Sequence, residues 1–168
     1  MSLFTEFISG RFVIAGTGSR SYRRTDEVFD RLYQQTSLFA EKYPDLVLMS
    51  GGAQGWDTEI ANVAWLLNVP FVMCIPNKGY GPYYWKNNLD GWYFMLACAA
   101  AIEYTMEDVY QSNSLYLNGV HSNFVRNSRM VELADAFFVY DAGSSGTRDA
   151  VKKIEQAGKP YKRMEGRR

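Results

Sequence analysis

The chain has 168 residues, 47% of them apolar, and carries 18 basic against 18 acidic side chains. That size and composition suit one globular domain whose core needs no metal or disulfide staple. Zero formal charge argues against a broad cationic face of the kind that grips duplex DNA, but not against one ligand-sized positive pocket.

No run of about 18 apolar residues is present to span a membrane. Met1–Gly10 is too short and too mixed for a secretory signal, so the expected location is the cytoplasm, or a host's cytoplasm for a viral source. Cys74 and Cys98 sit inside apolar runs and read as buried thiols. With no CxxC spacing and a single histidine, His121, no metal site is expected.

In chain order, Phe12–Ala15 is a short apolar run ending at Gly16, a buried strand entering a turn. Arg24–Tyr43 has helical spacing through Val28, Leu32, Leu38 and Phe39, and Pro44 closes it. Leu46–Met49 is a second strand, stopped by Gly51-Gly52. Asp57–Leu67 is helical through Ile60, Val63, Ala64 and Leu67, and Phe71–Ile75 is a third strand ending at Pro76. Asn77–Val120 breaks this rhythm with the aromatic stretch GYGPYYW, the apolar segment Trp92–Ile102 and the Tyr-rich run Glu103–Tyr116. It reads as one helix plus a lid or edge element. The rhythm then resumes with helix Phe124–Ala134, strand Phe137–Tyr140, helix Ser145–Ala157 and a short strand at Pro160–Tyr161, before a polar, fraying tail from Lys162. Strands and helices alternating over short connections predict right-handed βαβ units. The expected fold is a single α/β domain over residues 1–168: a Rossmann-like three-layer sandwich, its sheet mostly parallel, with an insertion at about 77–120.

Three glycine turns follow apolar runs: Gly16-Thr17-Gly18-Ser19-Arg20, Gly51-Gly52-Ala53-Gln54-Gly55 and Gly143-Ser144-Ser145-Gly146-Thr147. In a parallel sheet all three fall at the carboxyl edge, where open α/β sheets bind ligands. Glycine lets backbone N–H groups approach an anion, and the following helix points its positive end at the same place. Phosphate is the natural guest. The first turn is neither a Walker A loop nor a full GxGxxG fingerprint, which disfavours ATPase and ordinary dinucleotide chemistry. Arg20 and Arg126 can each offer a guanidinium to phosphate. Asp57 either caps the helix after the second turn or accepts from a ribose hydroxyl. Asn127, inside a helix, calls for a specific hydrogen bond. His121 is a general base or a structural cap. The ring cluster including Tyr80, Tyr84 and Trp85 either packs the inserted segment or stacks on a base.

The strings IAGTGSR, LMSGGAQGWDTEIANVA and FVRNSRMVELADAFFVYDAGSSGT, in that order, resemble the SLOG superfamily of Rossmann-like proteins over residues 11–76 and 121–162. The superfamily includes DprA/Smf, YpsA-type and Lonely Guy proteins. The resemblance implies a nucleotide pocket walled by Gly16, Gly18, Ser19 and Arg20, then by Gly51, Gly52, Gly55 and Asp57. Gly146 and Thr147 cradle phosphate there, and the chain is a homo-oligomer. Arg126 falls where Lonely Guy phosphoribohydrolases carry a catalytic arginine. Those enzymes also need a glutamate in PGGxGTxxE, and here Ala150 holds its place. Asp149 is one residue early, about 100° around a helix. The expected function is therefore capture of a nucleotide or nucleotide-derived signal, ADP-ribose-like or cyclic, with no further cofactor. Hydrolysis of an N-glycosidic bond, with Asp141 in the glutamate's stead, is the alternative. DprA-type binding of single-stranded DNA is the weaker one.

Overall fold

The computed structural model describes residues 2–106, 116–117 and 120–166, and the side chains of 2–106 and 123–166. Eight strands form: β1 (Val13–Gly18), β2 (Val47–Ser50), β3 (Phe71–Ile75), β4 (Ala99–Tyr104), β5 (Tyr116–Leu117), β6 (Val120–His121), β7 (Ala136–Tyr140) and β8 (Tyr161–Arg163). Seven helices accompany them: α1 (Leu3–Ile8), α2 (Asp26–Lys42), α3 (Trp56–Leu66), α4 (Tyr80–Tyr84), α5 (Leu89–Cys98), α6 (Ser122–Leu133) and α7 (Ser145–Gln156). No helix among the described residues is long and apolar enough to cross a membrane.

Six strands make one parallel sheet in the order β4-β3-β2-β1-β7-β8, and β5 pairs antiparallel with β6. Alternation along the strands sends side chains to both faces, and both faces are covered. Ile14, Leu48 and Met73 pack with Leu32 of α2, Ile60 of α3 and Met95 of α5. Val13, Ala15, Met49 and Cys74 pack with Phe4 and Ile8 of α1, Met130 of α6 and Ile154 of α7. This is the expected three-layer, Rossmann-like sandwich. From β1 the chain winds outward to β4 on one side, then returns to place β7 on β1's other flank. A crevice must open between the diverging loops of β1 and β7, the switch point of a doubly wound sheet.

The predicted strands and long helices form within a few residues of their expected limits. Residues 77–104 form two helices rather than one, α4 and α5, and then β4, the expected edge element, which extends the main sheet beyond β3. Beyond Met106, residues 107–115 and 118–119 lie outside the described residues. The tail does not fray at Lys162 either. Lys162 and Arg163 continue β8, Lys162 Nζ donates to Gln35 Oε1 at 2.8 Å, and Met164 is fully buried. At the other terminus α1 was not foreseen. Its signal was there in Ser2, whose hydroxyl accepts from the Thr5 N–H at 3.1 Å, followed by Phe4 and Ile8 four residues apart on the buried stripe.

The first two loops are locked together by close backbone approach. The N–H of Trp56 donates to the Ser19 carbonyl at 3.2 Å, and Gly55 lies against the carbonyls of Ser19 and Arg20 with φ at +80°. A Cβ on Gly55 would meet both oxygens at 2.6 Å. Trp56, fully buried, donates its indole N–H to the Phe138 carbonyl at 3.2 Å and lies over Tyr140, so one side chain ties the second loop to β7. Gly55→Ala combines a left-handed backbone with collisions against main chain that cannot rotate away. It is expected to destabilise the protein by roughly 2 kcal/mol or more, read as a fall in the urea midpoint with an unchanged slope.

Candidate functional site

The crevice at the switch point is a cleft of about 900 Å³, within the usual range for small-molecule sites. Gly16, Gly18, Ser19 and Arg20 of the first loop line it, with Thr17 and Ser21 between and beyond them. The second loop contributes Gly51, Ala53 and Asp57, and α6 contributes Arg126 and Asn127. Gly143, Ser145, Gly146 and Thr147 form the opposite wall at the start of α7. Three residues from the beginning and middle of α6, Asn123, Phe124 and Met130, also line the cleft, with no glycine or charge to mark them in the sequence.

Gly52 and Gly55 do not line it. Gly52 has φ of +76° and passes its carbonyl to the Trp85 indole N–H at 2.9 Å, so it serves the turn and the core behind. Gly16, Gly18 and Gly51 line the cleft through backbone, because a Cβ on each would run into Ile60, Trp56 or Arg126 at 2.3–2.6 Å. Gly146 is different: a Cβ there meets nothing within 4 Å among the described residues.

Arg126 is buried and charged. Its Nη1 donates to the Gly51 carbonyl at 2.5 Å and its Nε to Asn127 Oδ1 at 3.1 Å. Asn127 then turns its amide to the Gly146 carbonyl at 3.1 Å and to Asp149 Oδ2 at 3.2 Å, the specific bonds its helical position called for. Asp57 does not cap α3, whose N-cap is Gly55. Its Oδ2 accepts the Ala53 N–H at 3.1 Å, which braces the second loop and leaves the carboxylate on the cleft wall. Burial pushes its carboxyl up to about 6, against the opposing pull of Arg126, the Ala53 amide and Arg20.

The expectation that Tyr80 and Trp85 could stack on a base is overturned. Both are 1% exposed and sit in the core between the sheet, α3 and α5. Of the two readings open to these rings the packing one holds: Trp85 packs on Trp92 and donates to backbone. The Arg126 guanidinium lies 5.9 Å from the Tyr80 ring centre and couples to its hydroxyl electrostatically without closing hydrogen-bond geometry. Tyr84 is half-buried outside the cleft, and the exposed Arg20 guanidinium covers its ring at 4.5 Å.

The start of α7 is an anion cradle in outline. Ser144 caps it, accepting the Thr147 N–H at 3.2 Å, while the preceding N–H groups of Ser145 and Gly146 lack intrahelical acceptors. The two carboxylates near this wall are spent elsewhere. Asp149 accepts from Lys153 Nζ at 2.8 Å as well as from Asn127, and Asp141 accepts the Gly143 N–H at 2.8 Å and an Arg163 N–H at 3.3 Å. Ala150 is buried. Asp57 is thus the one carboxylate on the cleft among the described residues. The side chain of His121, read as base or cap, lies outside the described residues. Cys74 is buried, its thiol pushed up to about 12 by burial, and Cys98 is half-buried.

By sequence, no protein-family model and no curated protein matches the chain. By structure, it is similar to DNA processing protein A (DprA) of Streptococcus pneumoniae, with TM-score 0.67 and 17% identity over 94% of this chain and 51% of that one. DprA of Helicobacter pylori, described for its single-stranded DNA binding mode, gives 0.66 and 18% over 97% and 69%. These likenesses are ones of fold, a Rossmann-like α/β sandwich. A structural-genomics protein, TM1055, gives 0.56 and 15% over 89% and 72%. The chain therefore spans about half the length of the pneumococcal protein.

The buried Asp57 sets a pH dependence with a definite sign. Its native pKa of about 6 exceeds the unperturbed 3.8, so between these values the folded protein holds a proton that the unfolded chain releases. Stability falls as pH rises through that window, by up to about 3 kcal/mol. Asp57→Asn keeps an acceptor for the Ala53 N–H, should flatten the slope, and should match or exceed the parent's stability at pH 7.5. Urea titrations from pH 4 to 7.5 measure it; an unchanged slope in the variant would assign the titration to another group.

Proposed function

We propose that the chain captures a phosphate-bearing nucleotide or nucleotide derivative in the switch-point cleft, acting as a sensor, carrier or sponge. The observation that carries this reading is the pairing of two features across one cleft. The N-terminus of α7 lines it at Gly146, where a Cβ would meet no atom within 4 Å among the described residues, and a buried, permanently charged Arg126 stands on the α6 wall. Helix N–H groups and a guanidinium are both anion donors, and together they favour phosphate over a neutral guest. The resemblance to SLOG proteins supports a nucleotide as the carrier of that phosphate.

Capture is favoured over N-glycosidic hydrolysis because no carboxylate stands on the α7 wall. Asp149 and Asp141 are engaged, Ala150 is buried, and an acid must meet its ribose carbon closely to act. Single-stranded DNA is the second reading, supported by the likeness to the Helicobacter protein. Zero net charge weighs against it.

Mass spectrometry of small molecules released from the purified protein tests the reading directly, followed by calorimetry with nucleoside phosphates and ADP-ribose. Gly146→Asp separates binding from folding. Its side chain enters open space at a helix N-terminus, where a carboxylate stabilises. Thermal stability should hold or rise while affinity for the phosphate ligand drops at least about tenfold. Unchanged affinity would sink the cradle; base release abolished by Arg126→Ala would turn the reading to hydrolysis; salt-sensitive retention of oligonucleotide would turn it to DNA.

A further inference from the structure

We propose that the cleft takes up its anionic guest together with a proton, which Asp57 accepts, so that a guest with two negative charges is held at no net charge. The proposal rests on the nucleotide reading above and deepens it. Among the described residues of the cleft wall, the charged side chains are Arg20, Arg126 and Asp57. Two cations against one carboxylate leave a single positive charge over. A diphosphate brings two negative charges, so one of them stays unmatched unless the carboxylate is neutralised.

Asp57 is placed to take that proton. It is buried, it lines the same cleft as the anion donors, and its carboxylate accepts the Ala53 N–H at 3.1 Å. Arg20 faces it from the first loop and Arg126 from α6, and both favour the charged form. Tyr80 of α4 and Cys74 of β3 lie in the same electrostatic neighbourhood, and burial keeps both protonated. Glu59, on α3 itself, is committed to Arg24 and Tyr22, and Asp149 on α7 is paired with Lys153. Even with two cations opposite, burial holds the Asp57 carboxyl at about 6. A phosphate settling beside Arg126 brings a like charge into that corner and raises it further. Protonation also changes what the side chain can do. A carboxylate only accepts, whereas the acid has an O–H to donate to a phosphate oxygen. A group that repels the guest becomes one that binds it.

Calorimetry with ADP-ribose tests this, in two buffers of different ionisation enthalpy and over a pH series. Its diphosphate carries two negative charges and nothing in it titrates between about pH 5 and 8. Sulfate, likewise divalent and untitrated there, serves the same purpose should ADP-ribose not fit. Below about pH 6 the free protein already holds the proton, and above it one must come from solvent. Affinity should therefore be level below about pH 6 and fall by up to about tenfold per pH unit above it, with at least about half a proton taken up near pH 7. Asp57→Asn should bind with no uptake and a level profile. His121 precedes the cleft-lining Asn123 by two residues, and an imidazole titrates in the same range, so His121→Gln is the control and should keep uptake and slope. Uptake that survives Asp57→Asn, or that His121→Gln removes, would overturn the proposal and leave nucleotide capture standing. Binding by the parent without uptake would do the same. Should Asp57→Asn not fold, a level profile in the parent or in His121→Gln is still enough to sink it. A parent that binds neither ADP-ribose nor sulfate removes the phosphate reading of the cleft and the proton together.

Discussion

A buried cation organises this molecule's working end. Arg126 reaches from α6 into the second loop and closes on the Gly51 carbonyl, and Asn127 takes the Nε–H. A guanidinium out of water is costly unless its donors find partners, and two of its five N–H groups find them, one on the neighbouring residue and one on a loop distant in the chain. Gly51 must be glycine for this, since a Cβ there would lie 2.3 Å from Nη1. The bond therefore fixes where α6 sits against β2, and α6 in turn fixes α7 through Asn127. Three walls of the cleft are in register because one charge needed partners.

The same corner tolerates groups that stability alone would not choose. Asp57 is buried with one loop N–H and two cations for company, and it remains costly to ionise. Tyr80 keeps a hydroxyl in the core without a bond of full geometry among the described residues. Elsewhere the polar interior is tidy: Glu59 takes Tyr22 at 2.8 Å and Arg24, and Asp135 accepts the Val13 N–H at 2.8 Å to align the starts of β1 and β7. Departures from local consistency that gather beside a cleft are the usual mark of a site rather than of poor packing.

Much of this was legible in the sequence, because the signals were periodic. Runs such as Phe71–Ile75 could only be strands buried on both faces, and the glycine turns after them had to share the carboxyl edge. What escaped depended on packing at a distance. For Tyr80 and Trp85 the sequence left packing and base stacking both open, and only the meeting of α4 with α5 and the second loop decides for packing. Gly55 read as a ligand contact, yet its lack of a side chain answers to the Ser19 and Arg20 carbonyls. Phe124 was hidden for the opposite reason: an apolar residue in an amphipathic helix reads as core, and nothing local says that it lines the cleft.

The glycines of the site divide its walls by how much change each can absorb. On the floor, Gly16, Gly18 and Gly51 are hemmed in by Ile60, Trp56 and Arg126, and Gly55 behind them by main chain, so no larger residue enters without displacing the sheet's own supports. On the α7 wall, Gly143 and Gly146 border empty space, and of the two only Gly146 has a backbone any residue can adopt. Variation is thereby channelled. A lineage of such chains can exchange one guest for another by altering the first turn of α7, while the floor, the costly part to fold, stays the same.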